Sequence, residues 1–198
     1  QQAIAAYVAG FEAESRLGRA VHPHHYDKGW HPTATLGIFG TVIALSHLLG
    51  LDDQRTATAI ALACSMASGI KSNFGTMTKP LHVGHSARNG VMATLLAREG
   101  FTANPDSFEH KQGFVAAFQE QGETDLSQLF VNWANPLEIV NPGFGLKQFP
   151  CCGSTHTAIN CMTELREQFE LSPDDVLSIK ILVNPRRLPH TDNPDPQT

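Results

Sequence analysis

The sequence is poor in charged residues and in cysteine, and both shortages limit what the protein can be. Aspartate, glutamate, lysine and arginine make up 17% of the 198 residues, and the net charge is −5 at pH 7. Proteins that bind nucleic acid or an anionic membrane surface usually carry a basic excess, so we expect neither partner. The four cysteines include the adjacent Cys151 and Cys152, a pair that does not suit a disulfide framework. We therefore expect a reduced, cytoplasmic protein.

A long apolar run is also missing. The most apolar stretch, TLGIFGTVIALSHLLG at residues 35–50, is interrupted by two glycines, a serine and a histidine. A membrane-spanning helix needs roughly 20 consecutive apolar residues. No basic segment followed by an apolar one marks a signal peptide. The sequence therefore predicts no membrane-spanning segment.

What the sequence does contain is a succession of helical patterns. Gly50 suits the end of one helix, and Asp52 or Asp53 suits the start of the next. Pro80 can occupy the first turn of a third helix. These signals and the apolar spacing predict helices over 1–20, 33–49, 53–69 and 80–98, with weaker ones over 105–120 and 124–132. The fold class is therefore mainly α, with a large helical domain over 1–145.

The pattern changes at residue 146. A helix is predicted over 155–169, and alternating apolar residues predict a half-buried strand over 177–183. Residues 146–198 thus resemble the beginning of a smaller α+β domain that is left incomplete. The chain opens without a methionine inside a helical pattern and stops just after the strand. We therefore expect an internal piece of a longer protein, in which the helical domain lacks its N-terminal part.

Positive charge is concentrated in one part of the chain. Between Lys28 and Arg98 there are six lysines and arginines and only two acids, Asp52 and Asp53, which gives +6 − 2 = +4. The remaining residues must carry −9 to reach the total of −5. A short cationic region in an acidic protein fits a pocket for a small anion better than a track for a long polyanion.

The segment GTMTKPLHVGHSARNG, at residues 75–90, is the first candidate for such a pocket. The N–H groups at a helix start, the hydroxyl groups of Thr76 and Thr78, and the Lys79 ammonium group could together bind a carboxylate or phosphate. The segment is not a P-loop, because the second glycine of that motif is absent. The alternative is that Lys79 is a solvated residue at an ordinary helix start.

Histidines supply the second set of candidates. His82 and His85 are three residues apart and can share one helix face. His31 lies in a loop just before a helix, where it is either structural or able to transfer protons. The loop HPHH at 22–25 has no ligand spacing of a metal site. We therefore expect no metal site.

The segment LKQFPCCGSTH, where the pattern changes, supplies the third set. It brings Lys147, Cys151, Cys152 and His156 close together in the sequence. A cysteine–histidine nucleophile pair is one reading. Cysteines that act as small apolar residues are the commoner case.

Four motifs occur in order along the chain: GWHPTATLG, TKPLHVGHSARNG, EIVNPGFGLKQFPCCGSTH and TDNPDP. Together they resemble the MmgE/PrpD family over essentially the whole chain. The activities of that family include dehydration of 2-methylcitrate, decarboxylation of cis-aconitate and epimerisation of iminodisuccinate. The resemblance implies a homodimer with a large helical domain, a smaller α+β lid, and an active site that uses no cofactor.

The resemblance also implies roles for individual residues. His31, Lys79 and Lys147 match residues that line the active site of the family. The candidate substrate-binding residues beside them are Thr78, His82, His85, Cys152 and His156. One branch of the family has a histidine where Cys152 stands, which argues against the decarboxylation of that branch. An Asp/His motif of the family and the rest of the lid lie outside this sequence, and such a fragment need not be active alone.

The function that we expect is a lyase that dehydrates a small tricarboxylate such as 2-methylcitrate. Lysines would pair with the carboxylates, and His31 would transfer protons as a general acid or base. An epimerase of a small dicarboxylate needs the same residues, so the sequence does not separate the two. A third reading is a non-catalytic helical domain that binds an acidic partner, in which Lys79 and Lys147 would be exposed and far apart.

Overall fold

The computed structural model describes residues 1–119 and 124–188. The chain forms two compact units, Gln1–Phe144 and Gly145–Thr198. Helices dominate the described residues, which confirms the prediction of a mainly α protein. The division into a helical domain and a lid stays a prediction.

The first unit contains seven α-helices among its described residues. They are α1 (Gln2–Val21), α2 (His24–Asp27), α3 (Pro32–Thr35), α4 (Gly37–Leu49), α5 (Asp53–Met66), α6 (Thr78–Arg98) and α7 (Phe114–Phe118). The predicted end and start between α4 and α5 are both confirmed. Gly50 closes α4 in the left-handed conformation, and the Asp52 carboxylate accepts a hydrogen bond from the backbone N–H of Arg55.

Helix α4 lies at the centre of the first unit, where it contacts α1, α5 and α6. Its Ile38, Phe39 and Val42 are fully or almost fully buried. The segment Pro32–Leu49 is apolar and long enough, by length and composition alone, to cross a membrane. A helix at the centre of a packed core has the same composition, and the contacts of α4 on three sides are those of a core helix.

The crossing of α1 and α4 depends on glycine. A Cβ atom at Gly10 would collide with the carbonyl oxygen of Gly40, and one at Gly40 would lie 2.6 Å from a carboxylate oxygen of Glu14. The two backbones therefore approach as closely as helices can. Burial raises the pKa of the Glu14 carboxyl group that covers this crossing.

The two weak helices predicted over 105–120 and 124–132 are wrong in extent. The structure has only a 3-10 turn at Pro105–Ser107, the five-residue α7 and a 3-10 turn at Leu126–Leu129, and residues 120–123 lie outside the described part. Aromatic packing determines where α7 forms. Phe114 is 2% exposed and its ring centre lies 4.8 Å from that of Phe39, so α7 docks on α4.

Buried charges fix the segment after Leu129 to α1. The Glu12 carboxylate lies 2.7 Å from Nε of Arg16 and accepts hydrogen bonds from the backbone N–H groups of Ala134 and Glu138. Burial by itself would raise the pKa of Glu12, but these hydrogen bonds and Arg16 leave that pKa below its usual value. Arg16 also donates to the backbone carbonyls of Val131 and Asn132. The buried charges of Glu12 and Arg16 are thus paired with each other and hydrogen-bonded to the backbone of this segment.

The second unit contains one α-helix among its described residues, α8 (Gly153–Phe169), which confirms the helix predicted over 155–169. The predicted strand over 177–183 is wrong for this chain, since these residues are in no strand. A strand requires a partner for its backbone hydrogen bonds, and the described residues supply none to it. Its predicted inner face is instead in solvent, with Ile179 61% and Ile181 58% exposed.

Candidate functional site

The backbone around His31 is held by a second loop of the first unit. Trp30 and Ile70 form an isolated antiparallel bridge. The backbone N–H of His31 donates to the carbonyl of Gly69 at 3.0 Å, and that of Lys71 donates to the carbonyl of Gly29 at 2.8 Å. We call this pair of bonds the backbone clip. It joins the loop before α3 to the loop after α5.

His31 is also the N-cap residue of α3, whose first position is Pro32. Its carbonyl accepts hydrogen bonds from the N–H groups of Ala34 and Thr35 and from the Thr35 hydroxyl group. The same hydroxyl oxygen lies 2.6 Å from Nε2 of His25, a ring that is 1% exposed. The backbone position of His31 is therefore fixed on both sides, and the side chain is 5% exposed.

Gly69 leaves room for the histidine side chains. Its φ angle is +130°, a conformation that favours glycine. A Cβ atom there would lie 3.0 Å from Cβ of Ala34 and 3.5 Å from Nδ1 of His82. A side chain at this position would therefore crowd Ala34 of α3 and touch the His82 ring.

Two side chains contact the His31 ring and a third lies against one of them, and we call the four together the His31 cluster: His31, Phe74, Lys79 and His82. Nδ1 of His31 lies 3.2 Å from Nδ1 of His82. The Phe74 ring meets the His31 ring edge-on with 4.9 Å between centres. The ammonium nitrogen of Lys79 lies 4.4 Å from the centre of the same Phe74 ring.

The surroundings of His31 keep its ring neutral. Burial, and then the nearby His82 and Lys79, lower the pKa of His31 to about 4. The ring is therefore uncharged at neutral pH, and one of its nitrogens can accept a proton. A histidine whose pKa is shifted this far by burial and by neighbouring side chains is a candidate for a functional site.

The start of α6 differs from the predicted anion site in one respect. The N–H of Thr78 donates to the Thr76 hydroxyl oxygen, and the N–H of Lys79 donates to the Thr76 carbonyl. Pro80 has no N–H, and the N–H of Leu81 donates to the carbonyl of Met77. The first-turn N–H groups are thus already used, and an anion at this place would depend on side-chain donors such as the Lys79 ammonium group.

Of the residues predicted for the site, His31, Lys79 and His82 come together in the first unit. Thr78 and His85 are half-buried on the same helix α6, and it is His82 whose ring meets His31. The sequence reasoning missed Phe74 and treated Gly69 only as a helix end. The signal that could have found them is the loop SGIKSNFG at 68–75, whose glycines bracket the one aromatic residue.

Lys147, Cys152 and His156 belong to the second unit. Lys147 is exposed and donates to the carbonyl of Cys151 at 3.1 Å. Cys152 is the N-cap residue of α8, and its carbonyl accepts a hydrogen bond from the Thr155 hydroxyl group. His156 lies edge-on to Phe149 at 5.2 Å between ring centres, and its buried Nε2 has no hydrogen-bond partner among the described residues.

Two other features of the described residues were considered as sites. A cavity of about 550 Å³ is lined in part by Arg16, Arg19 and Glu138. Arg16 is paired with Glu12, and Arg19 with Glu138 at 2.5 Å, so each of these cations is already balanced by a carboxylate. Over 1–119 and 124–188 no group of three histidine, cysteine or acidic side chains could hold a metal ion.

Comparison with protein families matches residues 1–127 to the MmgE/PrpD N-terminal domain. A Homo sapiens protein named cis-aconitate decarboxylase is 30% identical over 165 residues, which cover 83% of this chain and 34% of that protein. The protein of that name from Mus musculus is 30% identical over 176 residues, which cover 88% and 35%. The one from Aspergillus terreus is 29% identical over 180 residues, which cover 84% and 35%. The chain thus spans about a third of the length of these relatives.

Proposed function

The chain belongs to the MmgE/PrpD family, and from that premise we propose that it is part of a lyase acting on a small polycarboxylate. The observation that carries the proposal is the His31 cluster. It combines a neutral, buried histidine with a lysine whose ammonium group lies over the phenylalanine ring that the histidine also contacts. The named relatives that match the chain are decarboxylases of a tricarboxylate, which agrees with a carboxylate substrate.

The chemistry follows from the charges of the cluster. A hydrogen on carbon next to a carboxylate is a weak acid, because its removal adds negative charge beside an existing one. A lysine that pairs with the carboxylate lowers that cost. We assign this role to Lys79 and proton removal to His31. Lys147 stays a proposed carboxylate ligand on the strength of the family resemblance.

The specific reaction that we propose is dehydration of a tricarboxylate of the 2-methylcitrate type. The proton leaves one carbon and hydroxide leaves its neighbour, so that an alkene and water form. Decarboxylation is the second candidate, because the relatives carry that name. Cys152, where one branch of the family has a histidine, is the residue that favours dehydration over it. We further propose a cytoplasmic homodimer.

Proton NMR in deuterated water distinguishes these reactions. The protein is incubated with 2-methylcitrate, citrate, cis-aconitate and an aspartate-derived dicarboxylate in separate samples. New vinyl signals from citrate, or a new allylic methyl signal from 2-methylcitrate, indicate dehydration, and release of carbon dioxide from cis-aconitate indicates decarboxylation. Loss of an α-proton signal without an alkene indicates epimerisation. If no acid reacts with this chain, and none reacts with the longer protein of which we expect it to be part, the proposed function is wrong and the cationic cluster is better explained as a docking surface.

Two substitutions test the assigned roles. We expect His31→Gln to lower kcat by about 10²- to 10⁴-fold, the usual contribution of a general acid or base. Lys79→Gln should lower kcat/KM by about 10²-fold or more, since a charge-assisted contact to the substrate is lost. The matched control is Lys111→Gln, at an exposed position of the same unit, which should leave kcat/KM unchanged. Equal losses in Lys79→Gln and Lys111→Gln would contradict the role of Lys79.

A further inference from the structure

The contact between the two histidines of the His31 cluster needs a proton. The rings meet through Nδ1 of His31 and Nδ1 of His82, which are 3.2 Å apart. Two nitrogen lone pairs would repel at this distance, so one of the two nitrogens carries the hydrogen. The other ring nitrogen of His31, Nε2, makes no hydrogen bond to the described part of the chain.

The position of that one proton determines what His31 can do. If Nδ1 of His31 carries it, Nε2 of His31 has a free lone pair and can act as a base. If Nδ1 of His82 carries it, Nε2 of His31 carries a hydrogen and can act as an acid. The pair therefore has two neutral arrangements with opposite chemical roles.

We infer that His82 is the proton partner of His31: when Nε2 of His31 removes a proton from the substrate, His82 accepts the Nδ1 proton of His31 through the Nδ1–Nδ1 contact. The inference rests on the function proposed above. When Nε2 of His31 takes a proton from carbon, the Nδ1 proton of His31 moves to Nδ1 of His82. His31 stays neutral, and His82 becomes the imidazolium.

Burial and charge favour this division of labour. His31 is 5% exposed, whereas His82 is only half-buried, so a positive charge costs less on His82. Helix α6 presents two side chains to His31, the titratable His82 and the charged Lys79. The facing loop contributes the neutral Phe74. A cation on His31 itself would be opposed by both burial and Lys79.

The proton balance closes over one dehydration. The electron pair of the broken C–H bond forms the new C=C bond as the C–O bond breaks. The proton held by the pair then moves back from His82 to Nδ1 of His31, while Nε2 of His31 gives its proton to the departing hydroxide. Water and an alkene leave, and both histidines are neutral again.

The sharpest variant is His82→Asn. The asparagine amide takes nearly the place of Nδ1, so it can still hydrogen-bond to His31, but it cannot hold a proton. We expect kcat to fall by about 10- to 100-fold with little change in KM, and the acidic limb of the kcat–pH profile to shift. The control His47→Asn alters an exposed histidine at the end of α4 and should leave both unchanged. Full kcat with an unshifted profile in His82→Asn would overturn the inference.

A second measurement does not depend on turnover. Nitrogen-15 NMR of the histidine rings is followed through a pH titration of the unliganded protein. We expect the His31 ring signals to change when His82 takes up a proton, because both rings share one hydrogen. In His82→Asn the same His31 signals should stay constant over that pH range.

The two measurements separate the inference from the proposed function. Coupled titration in a protein that converts no polycarboxylate would leave the proton pair standing and reject the function. If the protein turns over substrate but its His31 signals do not change when His82 takes up a proton, the proposed function stands and the proton exchange between the two histidines is rejected. If His82→Asn is poorly folded by circular dichroism, His82→Gln replaces it, and the wild-type titration alone still decides.

Discussion

The two units of the chain use similar residues with opposite results. In the first unit, isoleucine, valine and phenylalanine side chains are buried around α4. Over the described part of the second unit, 145–188, no residue is buried at all, although α8 and the segment after it contain leucine, isoleucine and phenylalanine. Apolar composition therefore does not make a core by itself. A core forms where several helices can enclose the apolar residues together.

The same contrast separates the histidines. His31 is held by the backbone clip and the N-cap of α3, and its ring contacts the rings of His82 and Phe74. His156 packs against one phenylalanine ring, and its buried Nε2 has no hydrogen-bond partner in the described part of the chain. The surroundings of the candidate site residues in the first unit thus hold them in place. The candidate residues of the second unit are held much less firmly.

Shortening an isoleucine in each unit tests this difference in burial with the largest expected effect. Ile38 is 0% exposed and Ile181 is 58% exposed. We expect Ile38→Ala to lower the free energy of unfolding by about 2–5 kcal/mol, through the lost burial and the cavity that remains. Ile181→Ala should change it by less than about 0.5 kcal/mol. Urea unfolding followed by circular dichroism measures both, and a loss in Ile181→Ala as large as that in Ile38→Ala would show that Ile181 is covered in the protein.

A smaller effect is expected from adding one methyl group to a glycine in each unit. Gly69→Ala places a Cβ on a backbone with φ of +130° and 3.0 Å from Cβ of Ala34, which should cost about 1–3 kcal/mol of unfolding free energy. The control Gly145→Ala has no atom within 4 Å of the added Cβ and should be nearly neutral. Thermal unfolding of the two variants makes the measurement, and equal melting temperatures would contradict the strain assigned to Gly69.

The smallest expected effect concerns acid, and it belongs to the first unit. Burial, and then Lys28, lower the pKa of His25 from 6.5 to about 4. The unfolded chain therefore binds more protons than the folded one between these two values, and stability falls as the pH drops through that window. We expect His25 to account for a loss of about 1–2 kcal/mol between pH 7 and pH 5.

The variant His25→Gln tests that source of acid sensitivity. Its amide can still bond to Thr35, but it does not titrate, so its unfolding free energy should fall less steeply between pH 7 and pH 5. His31, whose pKa is lowered in the same way, keeps part of the slope in this variant. Glu14, whose pKa burial raises, acts in the opposite sense. An unchanged slope in His25→Gln would show that His25 is not buried in neutral form.

Local signals in the sequence were enough to predict most of the helices. The glycine that ends α4 and the aspartate that starts α5 act within a few residues, so their effect is visible without the fold. The strand over 177–183 could not be settled that way. Its alternation is real, but a strand depends on a neighbour, and the sequence of the strand does not say whether one is present.

The candidate site could be predicted residue by residue but not as an arrangement. Family motifs and charge pointed to His31 and Lys79. The contact of His31 with His82 joins positions 51 apart, and it depends on the crossing of α3 and α6, for which no local pattern exists. Phe74 was missed for the same reason, since an aromatic residue in a loop has no distinctive spacing.

The backbone clip has a consequence for time as well as for position. A side-chain rotamer on a surface changes within picoseconds to nanoseconds, whereas opening of hydrogen-bonded backbone takes microseconds or longer. His31 is held through its N–H by the carbonyl of Gly69, and the neighbouring bond of Lys71 must break for the two loops to part. The arrangement of His31 beside the loop of Phe74 therefore persists for the lifetime of the clip, which is long compared with the transfer of a proton.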